Sequence, residues 1–183
     1  MATRRYLIWP TLALLSIGCS SLDVRTDFTE SFDFSTYRSF SFISDKPLLF
    51  SETAPVHPLF EERLLRATRD ALELKGYEFV EDREQADFVV SFTMGARDQL
   101  QVSGSTTYRG FSPGVGREDR YDEEVDVRNY TEGILAIDLF DVAQRSAVWH
   151  GWATKTISQQ DRRNSASVTH DVVAAILADF PPL

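Results

Sequence analysis

Cys19 is the only cysteine in the 183 residues. No disulfide can form within the chain, so any fold must be held by its own apolar core. Cys19 closes the apolar run Tyr6-Leu7-Ile8-Trp9-Pro10-Thr11-Leu12-Ala13-Leu14-Leu15-Ser16-Ile17-Gly18. Arg4 and Arg5 precede that run and small residues end it, the three-part pattern of an export signal. The run is too short to span a bilayer, which takes about 20 apolar residues, and Pro10 interrupts it.

Leu15-Ser16-Ile17-Gly18-Cys19 has the form of a lipobox, with Ser16 where leucine is usual. The cysteine thiol of a lipobox is acylated, with palmitate for example, and becomes the mature N-terminus. Lipidation accounts for both the solitude and the position of Cys19; an ordinary signal cut nearby, or a free buried thiol, accounts for neither. Two or more acyl chains hold a protein on a membrane where one alone is marginal. Ser20 stands where an aspartate would retain a Gram-negative lipoprotein at the inner membrane, so the outer membrane, on its periplasmic side, is the expected location. Thr3-Arg4-Arg5-Tyr6-Leu7-Ile8 faintly resembles a twin-arginine signal, but paired arginines are common in ordinary signals. The chain divides into a signal peptide over 1–18, a lipidated tether over 19–27 and a single α+β domain over 28–183.

Loss of Arg4 and Arg5 with the signal takes the formal charge from −9 to −11. Such a surface repels phosphate backbones, and no basic cluster offers a local exception, which excludes nucleic acid as a partner. The tether gives way to Phe40 and Phe42 alternating with serines, the period-2 mark of a half-buried strand. Residues 45–57 hold two prolines and no steady pattern, and read as a loop. Pro58 suits a helix start. Phe60, Leu64, Ala67, Ala71 and Leu74 follow at intervals of four, three, four and three, one face of an amphipathic helix that Gly76 can stop.

Residues 77–80 suit a short strand. Phe88, Val90, Phe92 and Met94 share one face of a longer one, resuming through Leu100 and Val102. Residues 104–118, rich in Gly, Ser and Thr, read as an exposed excursion. Leu135, Ile137 and Leu139 make the inward face of a strand, residues 141–146 a turn, and residues 147–155 the returning strand. Val168, Val172, Ala175, Ile176 and Phe180 mark a last amphipathic helix, capped by Asn164, Ser165 or Ser167 and ended by Pro181 and Pro182. These elements predict an α+β fold: a mainly antiparallel sheet with two amphipathic helices packed on one side.

Four of these pieces carry a resemblance: Leu74-Lys75-Gly76-Tyr77; Ala86-Asp87-Phe88-Val89-Val90-Ser91; Tyr130-Thr131-Glu132-Gly133 through Asp138, Asp141 and Trp149; and Ala175-Ile176-Leu177-Ala178-Asp179-Phe180-Pro181-Pro182. In this order behind a lipobox, the chain resembles the bacterial lipoproteins grouped as domain-of-unknown-function family 4136, over nearly the whole mature sequence. The resemblance implies an envelope location and an α+β domain, and brings no activity, cofactor or catalytic residue with it. His150 stands where an arginine or lysine would be expected after the tryptophan.

The chemistry-bearing residues do not converge. Gly110-Phe111-Ser112-Pro113-Gly114 spells a nucleophile elbow, but the elbow uses the backbone N–H of the residue after the serine, and Pro113 has none. His57, His150 and His170 lack metal-ligand spacing. Glu118, Asp119, Asp122, Glu123, Glu124 and Asp126 could attract calcium, but Arg117, Arg120 and Arg128 interleave with them and the glycine-turned loop of a calcium hand is missing. Asp138 and Asp141, three apart on a strand, point to opposite faces, and Asp141 suits the turn. Trp149 and Trp152 also oppose one another, Trp149 expected in the core and Trp152 at the surface as a contact for a partner. Asn129-Tyr130-Thr131 matches a glycosylation sequon, which a bacterial source sets aside. No catalytic residue, metal or cofactor is expected. The expectation is a non-catalytic binding or assembly module of the envelope; a carrier of an apolar ligand or lipid is the alternative, and an envelope hydrolase the remaining one.

Overall fold

Alternation of apolar and polar residues sets the sheet, and the 3.6-residue period sets the helices that cover it. The computed structural model describes residues 22–50, 59–108 and 121–182, with side chains described outside 100–108 and 121–129. In chain order the strands are β1 (Leu22–Phe28), β2 (Ser39–Phe42), β3 (Leu48–Phe50), β4 (Glu78–Phe79), β5 (Phe88–Tyr108), β6 (Tyr121–Asp141) and β7 (Ser146–Thr156). The helices are α1 (Phe60–Leu74), α2 (Gln159–Arg163) and α3 (Ser165–Ile176). The seven strands form one sheet in the order β1-β7-β6-β5-β2-β4, with β3 also on β5. The pairs β1–β7, β7–β6 and β6–β5 are antiparallel, whereas β2 and β3 run parallel to β5, and β4 parallel to β2. The fold is the predicted α+β class, with a parallel edge added to a mostly antiparallel sheet.

Register brings the apolar faces into one layer. Val90 stands opposite Leu139 and Phe92 opposite Ile137; Leu139 in turn faces Trp149, and Leu135 faces Ala153. Against this face lie Leu64, Ala67 and Leu72 of α1 and Val173 and Ile176 of α3, all buried. Phe180, just past α3, closes the layer: its ring centroid lies 5.8 Å from Phe34, 5.6 Å from Tyr77, 5.6 Å from Phe88 and 5.4 Å from Trp149. Burying a side chain of that kind contributes about 1.5–3 kcal/mol, so the tail motif is a packing element.

Helix α1 ends as its sequence predicts. Gly76, at φ 95, lets the Gly76 N–H donate to the Glu73 carbonyl at 2.9 Å and the Tyr77 N–H to the Leu72 carbonyl at 3.1 Å, the paired bonds of a glycine stop. Pro58 lies outside the described residues. At the sheet's parallel edge, the Asp87 carboxylate accepts the N–H groups of Arg38 and Ser39, both at 2.8 Å, and the Ser39 hydroxyl at 3.0 Å. Burial works to raise the Asp87 pKa, but these bonds prevail and hold it below the usual carboxylate value. Asp141 takes the turn role expected of it, accepting the Gln144 N–H at 2.5 Å. It also accepts the buried Tyr37 hydroxyl at 2.9 Å. Burial first, and the Asp141 bond second, push the Tyr37 hydroxyl far above its ordinary pKa.

Four elements depart from the sequence reading. Residues 22–27, assigned to the tether, form with Phe28 a strand paired along all seven of its residues to β7. Leu48–Phe50, read as part of a loop, is strand β3, held by parallel pairing with β5. Residues 104–108, assigned to an excursion, continue β5 and pair with 121–125. Helix α2 was not anticipated; a reciprocal cap starts it, with the Asp161 N–H donating to the Ser158 hydroxyl and the Ser158 N–H donating to the Asp161 carboxylate. The cap expected for α3 is Asn164 by position, but its side chain makes no capping bond.

Candidate functional site

Helices α1 and α3 seal the Trp149 end of the sheet, where Phe180 plugs the gap, and leave the other end of β7 open. A cleft of about 740 Å³ results there, walled by Phe60, Leu135, Ala153, Ile157, Val168 and Val172. That volume lies within the roughly 300–1,000 Å³ typical of sites for small organic ligands. Gly133 helps to shape it. A Cβ on Gly133 would stand 3.1 Å from Ile157 Cδ1, so the missing side chain lets Ile157 lie close against β6.

Four charged side chains line the cleft, the cations Lys155 and Arg162 and the carboxylates Asp98 and Asp161. The Lys155 ammonium lies 2.8 Å from the Asp161 carboxylate, both half-buried or better. Asp161 also accepts the Ser158 hydroxyl at 2.7 Å and the Ser158 N–H at 2.8 Å. The Lys155 bond, then those from Ser158, hold the Asp161 carboxyl down to about 2. A second hollow of about 520 Å³ is lined in part by Leu22 and shares Lys155, Asp161, Val168 and Val172 with the cleft. The arrangement is a largely apolar slot whose two cations and two carboxylates balance in sign.

The opposite face of the sheet carries no helix among the described residues. Trp152 lies there, half-buried, and Trp149 lies in the core, 2 % exposed, as their alternation predicts. The His150 ring stands 4.9 Å from the Trp152 ring, and its Nδ1 lies 2.5 Å from the Asp138 carboxylate. Register aligns Ser91, Asp138, His150 and Asp27 in one row across neighbouring strands. Asp138 therefore stands between the serine and the histidine, whereas a hydrolytic triad needs the histidine between serine and carboxylate.

Cys19, His57, and Ser112 with its glycine frame lie outside the described residues. His170 sits exposed on α3, 3.7 Å from Asp171. Asp122, Glu123, Glu124 and Asp126 are consecutive or alternate positions of strand β6, not of a turn. Among the described residues no group of three His, Cys, Asp or Glu side chains could hold a metal ion, and no helix is long and apolar enough to cross a membrane. Sequence reasoning named Trp152 but missed the cleft, whose lining comes from six elements, α1, β5, β6, β7, α2 and α3, with Ile157 between two of them; the local signal was the Ser158–Asp161 capping pattern beside it.

The profile of a family described as "Domain of unknown function (DUF4136)" matches residues 24–182. Among solved structures the chain is similar to a DUF4136 family protein from Bacteroides thetaiotaomicron, 13 % identical, covering 88 % of this chain and 97 % of that one with a TM-score of 0.57. It is also similar to a single-substitution variant of PelC from Paraburkholderia phytofirmans, solved as a dodecamer. That likeness is 14 % identical and covers 86 % of this chain and 95 % of that one, with a TM-score of 0.50. At these identities the likeness concerns the fold alone. Among curated proteins none matches the chain.

Proposed function

The chain belongs to the DUF4136 family, and from that premise we propose that it is a non-catalytic, lipid-anchored binding module of the bacterial cell envelope. It is tethered to the outer membrane through acyl chains on Cys19, faces the periplasm, and holds an acyl chain or comparable apolar ligand between its helices and its sheet. The observation that carries this reading is the 740 Å³ cleft, lined mostly by apolar side chains with two cations and two carboxylates among them. The carrier reading of the sequence thereby becomes the leading form of the binding module.

The test follows labelled palmitate in growing cells. The label enters the parent chain and stays with the envelope fraction, while Cys19→Ala loses the label and washes free in plain buffer. Native mass spectrometry of Cys19→Ala, which carries no acyl chain of its own to fill the cleft, finds additional mass matching a lipid or fatty acid. An unlabelled parent that leaves the envelope in buffer, or only ligand-free protein, overturns the reading.

The open sheet face supports a second reading, in which Trp152 contacts another envelope protein. Large aromatics at the centre of such a patch carry much of the binding energy in protein interfaces. Trp152→Ala then removes a partner from membrane pulldowns without lowering the melting temperature; an unchanged pulldown refutes this reading.

A further inference from the structure

Resting on the acylation of Cys19 proposed above, we infer that the cleft is the seat of one of the protein's own acyl chains. Leu22 is half-buried, opens β1 and is paired with Lys155, which lines the cleft. Cys19 precedes Leu22 by three residues. A chain advances at most about 3.6 Å per residue, so the Cys19 backbone stays within about 11 Å of Leu22. Because β1 is antiparallel to β7, the chain before Leu22 leaves the sheet at the end where β7 runs out towards α2, and the cleft opens at that end.

The second hollow supplies the path. Leu22 lines it, and it shares Lys155, Asp161, Val168 and Val172 with the cleft. A hydrocarbon chain joined near Cys19 can cross it over Leu22, Val168 and Val172, past the polar Ser158, Gln160 and Asn164 that also line it. The charged lining of the cleft also selects for this occupant. Two cations against two carboxylates, with Lys155 and Asp161 paired at 2.8 Å, leave no net charge to seat a phosphate or a free fatty acid's carboxylate. The neutral linkage of a protein-bound acyl chain needs none. The short leash also sets an effective concentration of roughly millimolar for the attached chain, which free lipid in the periplasm must outcompete. A chain lodged in the cleft is withdrawn from the bilayer, and since membrane hold depends steeply on the number of inserted chains, the cleft governs how firmly the protein is anchored.

The test uses the full chain expressed in a Gram-negative host fed palmitate that carries a photoreactive diazirine near its methyl end. After irradiation and digestion, the expected result is a crosslink from the acyl group on Cys19 to peptides containing Val168 and Val172 or Phe60. Ala96→Trp, which fills the cleft from a half-buried strand position, lowers that crosslink by about tenfold while Cys19 stays labelled, as expected when added bulk occupies a cavity. Val168→Trp serves the same purpose should the first variant fail to fold. Label on Cys19 with crosslinks only to phospholipid or to other proteins overturns the inference and leaves the acylation standing. Undiminished crosslinking in both filled variants overturns it too. No label on Cys19 overturns the inference together with the reading it rests on.

Discussion

Gly151→Ala tests the packing beneath α3 most directly. Gly151 lies on the helix-facing side of β7, and the Trp149 indole folds over it. A Cβ there would stand far inside contact distance of Trp149 Cη2, 2.9 Å from Trp149 Cζ2 and 2.8 Å from Ile176 Cγ2. Carbon atoms pack at about 3.5–4.0 Å, so both the indole and the helix would have to move. Neither has room: Trp149 is 2 % exposed and Ile176 fully buried, and Phe180 backs the indole at 5.4 Å. Overpacking of this kind costs about 1–3 kcal/mol, and the stiffer unfolded chain of alanine returns about 0.4–1 kcal/mol. With roughly 2–4 °C per kcal/mol for a domain of this size, the melting temperature should fall by several degrees.

Thermal unfolding followed by circular dichroism measures that fall, and a double-mutant cycle assigns it. Trp149→Phe removes the two offending ring carbons, together with an indole N–H that is buried without a partner among the described residues. In that background Gly151→Ala should cost less, by about 0.5–3 kcal/mol of coupling. A single variant that melts with the parent, or two substitutions whose effects simply add, would refute the reasoning.

Asp161 should govern the acid limb of stability. Its pKa is lowered from 3.8 to about 2, so its contribution is complete above about pH 4 and is lost as pH falls towards 2. Asp161→Asn should flatten that limb in denaturation curves taken between those values; an identical limb in parent and variant contradicts the assignment. Phe180→Ala should cost about 3–5 kcal/mol, the usual loss for a buried phenylalanine, read as a shift of the denaturant midpoint at unchanged slope; a loss under about 1 kcal/mol would mean the ring is not a packing hub.

Helices α1 and α3 and the central hairpin were legible because each is written in consecutive residues. The spacing from Phe60 to Ala71, the stop at Gly76 and the alternation that separates Trp149 from Trp152 all act locally; Leu74, read as the last residue of the helix face, is instead 90 % exposed. Strand β1 was hidden because Asp23, Arg25 and Asp27 dominate its composition, although Leu22, Val24 and Phe28 alternate with them. It becomes a strand only because the edge of β7, more than a hundred residues later, takes it as a partner. Strand β3 lay in a stretch that its prolines marked as loop, and its parallel pairing with β5 is likewise a long-range event. The cleft was beyond reach for the same reason. It exists where the starts of α1 and α3, with α2, lie over the middles of β5 and β6 and the end of β7, and no segment of sequence records how they are placed together.

Past Met94 on one strand and Glu132 on the other, β5 and β6 pair only with each other among the described residues, out to Tyr108 and Tyr121. In a two-stranded ribbon every second peptide group on each strand turns its N–H to the outside, where no neighbour receives it. Deuterium uptake along this arm should therefore alternate, one amide slow and the next fast, in a rhythm that dies out where the arm joins the broader sheet.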